Sequence, residues 1–147
     1  MEIENLCNFY ASKYHLSIIL LEYLNSKNTK KSTVITFLQN GIEEEINILK
    51  EKYKFNINSA NEANFEDTKV IKNKKIEKSK DIIFIIDGDV KYMKEANSYI
   101  KKEISKLNIR TIKIINCFDF EKQQIFMEEI LNCNDKILYT TGEKVID

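Results

Sequence analysis

The side chains able to do chemistry in this sequence are few, and most of them fall where apolar runs end. Asp87-Gly88-Asp89 closes the run Ile82–Ile86. Two carboxylates two residues apart at a strand end offer hard oxygen ligands, the kind Mg²⁺ takes. Asp87 and Asp89 are therefore the candidate metal ligands; Mg²⁺ is the one cofactor the chain could use, and none is required. The same residues also make a plain turn in which Asp89 caps a helix starting at Val90. His15 is the only histidine, the residue type that ordinarily exchanges protons near neutrality. As a general acid or base it needs a partner such as Asp87, Asp89 or Asp119; a helix cap or surface residue is the plainer role. Cys117 could act as a nucleophile beside His15, yet no local signature accompanies it, and a buried inert thiol is the simpler reading. His15, Asp87 and Cys117 are thus the catalytic candidates, a thin inventory.

Candidate ligand-binding residues gather at the same strand ends. Ser12, Tyr14 and His15 lie where the first strand passes into its helix, Asp119 ends the fourth strand, and Thr140, Thr141 and Gly142 end the fifth. All three glycines, Gly41, Gly88 and Gly142, follow strands, as turns commonly require and as close approach to a ligand also requires. Neither G-x-G-x-x-G nor G-x-x-x-x-G-K-[ST] is present, which removes a standard dinucleotide or P-loop nucleotide site. Hydroxyls and free N–H groups at a helix start can still hold a phosphate or a nucleobase. Arg110 is the only arginine, so an anion would be met by lysine, hydroxyl and backbone groups rather than by a guanidinium fork.

Asp87-x-Asp89 resembles the D-x-D of Toprim nuclease and topoisomerase domains, which pair it with a glutamate at the end of an earlier strand. The resemblance implies Mg²⁺-dependent phosphodiester chemistry on Asp87 and Asp89. Here the earlier strands end Ala11-Ser12 and Gln39-Asn40, so that glutamate is missing. In size and layered architecture the chain is similar to CRISPR-associated Rossmann-fold sensors, which at the level of fold analogy implies ligand binding and regulation.

The elements that must position these groups are legible from periodicity. Leu6–Ala11, Thr33–Leu38, Asp81–Asp87, Ile109–Cys117 and Lys136–Thr141 read as strands. Ile82–Ile86 is apolar without alternation, as in a strand covered on both faces. Leu16, Ile19, Leu20, Tyr23 and Leu24 mark one helix face, and Ile42, Ile46, Leu49 and Tyr53 mark a second, with Glu43, Glu44 and Glu45 at its positive end. Met93, Ala96, Ile100, Ile104 and Leu107 mark a third; Phe126, Met127, Ile130 and Leu131 mark a fourth, over Phe120–Leu131. This alternation predicts a three-layer α/β/α sandwich, Rossmann-like or flavodoxin-like, with five mostly parallel strands and a sixth if a short strand forms near Phe55–Asn58. One domain spanning residues 1–147 is expected, interrupted by a polar, irregular flap at about 55–80 that includes a helix near Thr68–Ser79. Lys72, Lys74, Lys75, Lys78 and Lys80 within it read as a solvated face offset by Glu62, Glu66, Asp67 and Glu77.

The 147-residue chain is 43% hydrophobic and carries 23 basic against 23 acidic residues. That excludes an obligately disordered chain and argues against duplex DNA as partner, since no basic excess supplies phosphate affinity. Twenty-four Ile, 22 Lys and 16 Asn reflect an AT-rich, bacterial type of coding bias, so lysine and asparagine counts carry little functional weight. No signal or membrane-spanning segment is read. Cys7, Cys117 and Cys133 are expected as reduced thiols in a cytoplasmic protein. The leading expectation is a small regulatory or sensor domain binding a nucleotide-like or other anionic ligand at the carboxyl edge of the sheet. The alternatives are an Mg²⁺-dependent phosphodiester or phosphoryl-transfer enzyme, and a protein-interaction module without a small ligand; a homodimer is compatible with any of them.

Overall fold

The computed structural model describes residues 2–26, 33–42, 44–45, 47–48, 51, 56–60, 81–106 and 111–146. The elements are β1 (Glu2–Tyr10), α1 (Lys13–Ser26), β2 (Thr33–Leu38), β3 (Asn56–Ala60), β4 (Asp81–Asp87), α2 (Val90–Ile104), β5 (Thr111–Asp119), α3 (Phe120–Gln123), a 3₁₀ turn (Gln124–Phe126), α4 (Met127–Asn132), β6 (Lys136–Tyr139) and β7 (Gly142–Val145). Backbone at Glu44, Glu45, Asn47, Ile48 and Glu51 is helical, as the glutamate-led pattern predicts. Residues 61–80, to which the sequence assigns most of the flap and its helix, lie outside the described residues.

The strands form one sheet in the order β3-β2-β4-β5-β1-β6-β7, with β7 antiparallel to β6 and every other pair parallel. Six parallel strands match the upper expectation; β7 is an addition. Lys136–Thr141 is not a continuous strand. It ends at Tyr139, Thr140 and Thr141 turn the chain, and Gly142, at φ 126°, starts β7. That positive φ suits glycine alone, and β7 covers the edge of β6 with a short, charged strand.

Side-chain alternation sorts the core into two layers. On one face α1 lays Leu16, Ile19, Leu20 and Leu24 on Leu6, Val34, Ile83, Ile85 and Ile115. On the other, α2 lays Ala96, Ile100 and Ile104 on Ile82, Phe84, Ile86, Ile112 and Ile114. Ile130 of α4 continues that second layer over Cys7 and Phe118. The chain is thus a three-layer α/β/α sandwich, Rossmann-like in architecture. Both faces of β4 are buried, which is why its sequence shows no alternation. No helix among the described residues is long and apolar enough to cross a membrane.

Two further expectations need correction. β1 begins at Glu2 rather than near Leu6, because its polar start is matched by distant charges. Glu4 accepts from Lys113 at 2.8 Å and pairs Lys136 at 3.1 Å. Burial alone would raise its carboxyl pKa, but the two ammonium groups outweigh burial and hold it below the usual range. The helix Phe120–Leu131 is broken by the 3₁₀ turn. Three residues at 3.0 per turn instead of 3.6 rotate the downstream segment by about 60°. Ile130 is therefore buried, while Phe126 is 41% and Ile125 80% exposed.

A buried row of asparagines ties the second face together. Asn116 donates to Asn134 Oδ1 at 2.8 Å and to Asn5 Oδ1 at 3.3 Å, and its own Oδ1 accepts from Asn97 at 3.0 Å. One side chain thereby joins β5, β1, α2 and the turn after α4. Asn116→Ala leaves the buried Asn134 oxygen without this donor, and the expected cost is about 1–3 kcal/mol. Urea denaturation checks this: the midpoint should fall with an unchanged slope.

Candidate functional site

The neighbouring strands β5 and β1 send their helices to opposite faces of the sheet. α1 follows β1 on one face, while α2 and α4, after β4 and β5, lie on the other. Such a reversal opens crevices beyond the carboxyl ends of the strands, where ligands of α/β sheets bind. Here that edge is built from the loops after β1, β2, β4, β5 and β6.

At its centre lies Asp87, fully buried at 0% exposure. Its Oδ1 accepts from the Tyr10 hydroxyl at 2.6 Å and from Asn40 Nδ2 at 3.3 Å. Its other oxygen, Oδ2, is buried without a partner. Tyr10 stands on β1 and Asp87 on β4, with β5 between them. Two strand spacings are about 10 Å, a gap that a tyrosine spans and a serine or threonine does not. Cys117, on the intervening strand directly opposite both Asp87 and Asn8, is small enough to let it pass. Asn8 Nδ2 donates to the Cys117 thiol at 3.1 Å, and Asn8 Oδ1 is likewise buried without a partner.

Burial dominates the electrostatics of this row. It pushes the Asp87 carboxyl above the usual aspartate value; hydrogen bonds from Tyr10 and Asn40 oppose the shift, and the charge of Asp119 adds to it. Burial also raises the Cys117 thiol, with Asp87 adding to the rise, and raises Cys7 to about 12. Neither buried thiol is a poised nucleophile, because the thiolate is the reactive form. Cys133 is the exposed one.

Around Asp87 the loops lock each other. Gln39 N–H donates to Asp87 O at 2.7 Å, and Gln39 Oε1 accepts from Asp89 N–H at 2.9 Å. Asp89 is the N-cap of α2, accepting from Tyr92 N–H at 2.8 Å. The two carboxylates of the D-x-D are thus engaged in different places: Asp89 on the helix start, Asp87 under Tyr10 and Asn40. Among the described residues no group of three or more His, Cys, Asp or Glu side chains could hold a metal ion. Gly88 is fixed by packing, since a Cβ there would stand 2.6 Å from Tyr92 Cδ1 and 2.8 Å from Gln39 Oε1.

The remaining candidates divide into neighbouring sets. Ala11 and Ser12 alone connect β1 to α1, and Ser12 Oγ caps the helix by accepting from His15 N–H at 3.1 Å. His15 Nδ1 accepts from Ala11 N–H at 2.9 Å. Lys13 Nζ donates to Gly41 O at 3.0 Å, where Gly41 turns with φ 70°. Tyr14 is 76% exposed, and Asp119 caps α3 through Glu121 and Lys122 N–H. His15 and Thr140 meet in a cleft of about 330 Å³ between α1 and the α3–α4 segment, lined also by Phe9, Ile19, Phe120, Met127, Leu131, Ile137, Leu138 and Tyr139. Thr140, Thr141 and Gly142 border a second cleft of about 360 Å³ beside Glu22, Tyr23 and Glu143. Sequence reasoning missed Tyr10 and Asn40 as partners of Asp87, and Phe9, Phe120 and Tyr139 as cleft walls. Aromatic residues at or next to the ends of β1, β5 and β6 were the available signal. No protein-family model matches this chain, and no curated protein sequence is significantly similar to it.

The neutral form of Asp87 is favoured by folding, so the folded chain keeps a proton that the unfolded chain has lost. Its contribution to stability is therefore full below the unfolded value, near 3.9, and declines as pH rises toward the folded value. Asp87→Asn should abolish that decline, so the wild-type curve of unfolding free energy against pH falls relative to the variant's above pH ~4. Tyr10→Phe removes a buried hydrogen bond to a carboxyl group and should cost about 1–3 kcal/mol in the same titration.

Proposed function

We propose that this chain is a small regulatory or sensor module of the α/β class that binds a compact, nucleotide-like ligand without transforming it. The observation that carries the reading is the 330 Å³ cleft at the carboxyl ends of β1 and β6, where His15 and Thr140 converge on apolar and aromatic walls. An apolar cavity with a few convergent polar groups at this edge is the common form of a ligand site. Its volume is near the lower end of the ~300–1,000 Å³ usual for such sites, which suits one ring system. Catalysis has weaker support. The buried thiols are held protonated, Asp89 is spent on a cap, and Asp87 is covered by Tyr10 and Asn40.

A second reading, an interaction module, rests on a different observation. A groove of about 600 Å³ lies between α2 and the α3–α4 segment, with Val90 and Phe126 among its lining and a Lys94–Glu129 ion pair beside them.

A thermal-shift series with nucleobases, nucleosides and mono- and cyclic nucleotides, each with and without Mg²⁺, tests the first reading. A ligand at ~100 times its Kd adds about 2.7 kcal/mol, enough to raise Tm by several degrees. Thr140→Trp, an exposed substitution at the cleft mouth, should abolish the shift. A shift that needs Mg²⁺ and disappears in Asp87→Asn would return the site to the carboxylate pair and to enzymology.

A further inference from the structure

We infer that the cleft recognises an uncharged, planar heteroaromatic ring through a hydrogen-bond acceptor on its edge, and that His15 supplies the donor. This rests on the ligand-binding reading above and names the chemistry of what is bound. The tautomer of His15 is set by the fold. Nδ1 accepts a hydrogen bond from Ala11 N–H at 2.9 Å, so it carries no hydrogen, and the ring hydrogen is on Nε2. The ring is held in place because its own residue is locked at both ends of the turn: His15 N–H donates to Ser12 Oγ, and Leu16 N–H donates to Ser12 O. Among the described residues Nε2–H has no partner in the chain, and His15 lines the cleft. It can therefore offer a bound molecule a donor and nothing else.

The walls say what carries the acceptor. Phe9, Phe120 and Tyr139 present aromatic surface and Ile19 aliphatic surface, while Thr140 adds one hydroxyl. Aromatic side chains favour flat π-systems in offset or edge contact. Among the described residues no Lys, Arg, Asp or Glu lines the cleft. A charged group would lose its hydration there without gaining a counter-charge, so a phosphate, if the ligand has one, stays outside. A pyridine-type ring nitrogen or a ring carbonyl facing Nε2–H is the matching partner. Specificity of this kind is sharp, because a ring lacking the acceptor leaves a desolvated N–H unpaired.

Benzimidazole and indole form the test pair, since they share shape and differ by one ring nitrogen acceptor. Both are titrated at pH 8 into the full chain and followed by NMR. His15 is the only histidine, so its two ring ¹⁵N resonances are unambiguous. The free protein should show Nδ1 unprotonated and Nε2 protonated; a proton on Nδ1 overturns the inference. Benzimidazole should bind about 5- to 10-fold more tightly than indole and shift the Nε2–H signal, and His15→Phe should erase that preference. Equal affinities, or an Nε2–H that does not respond, would overturn the donor role while leaving the cleft as a binding site. If neither ring perturbs the resonances of Phe9, Tyr139 and Thr140, the cleft is not a ligand site and both readings fall.

Discussion

Two residues, Ala11 and Ser12, carry the chain from β1 into α1, and the carboxyl edge is organised around that short turn. A longer, glycine-bearing loop there could curl around a phosphate; two residues cannot. Instead the turn spends its polar groups on itself. Ser12 caps the helix, Ala11 N–H fixes the His15 ring, and Lys13 reaches across to the carbonyl of Gly41. The closeness of strand end and helix start also leaves Tyr10 directed across β5 onto Asp87. The space beside Asp87 is then filled by the protein's own phenol.

That filling explains how a buried carboxyl persists in the core. Isolated, an ionised carboxylate would be very costly to bury. Here a raised pKa, a short hydrogen bond from Tyr10 and a longer one from Asn40 reduce the cost, and the group joins β1, the β2 loop and β4. The opposite face of the sheet uses neutral amides for the same task. Asn116 and its three asparagine partners link two strands, a helix and a turn without any charge. Each polar row specifies how layers sit, because a shifted register would leave its members unpaired.

The charged residues at the amino edge follow a third pattern. Lys113, Glu4, Lys136 and Glu143 pair in that order across β5, β1, β6 and β7. Partly exposed pairs of this kind contribute little singly, but they allow β1 to start as early as Glu2. Aromatic surface and the His15 ring gather instead at the carboxyl edge.

The sequence alone determined the layered α/β class, the limits of β2 and β4, the buried face of α1 and the cap at Asp89. Those features depend on local periodicity and on contacts within a few residues, which are written in order along the chain. It did not determine β7, the break in the helix after Phe120, or the early start of β1. Each depends on a turn conformation or a distant partner that outweighs local pattern. Strand order was the decisive unknown. Only when β5 falls between β4 and β1 does Tyr10 reach Asp87, and only when β6 lies beside β1 do His15 and Thr140 share a cleft. Residues about 77 and 125 positions apart are neighbours there because hydrophobic burial on both faces of one sheet selected that order, and no local spacing encodes it.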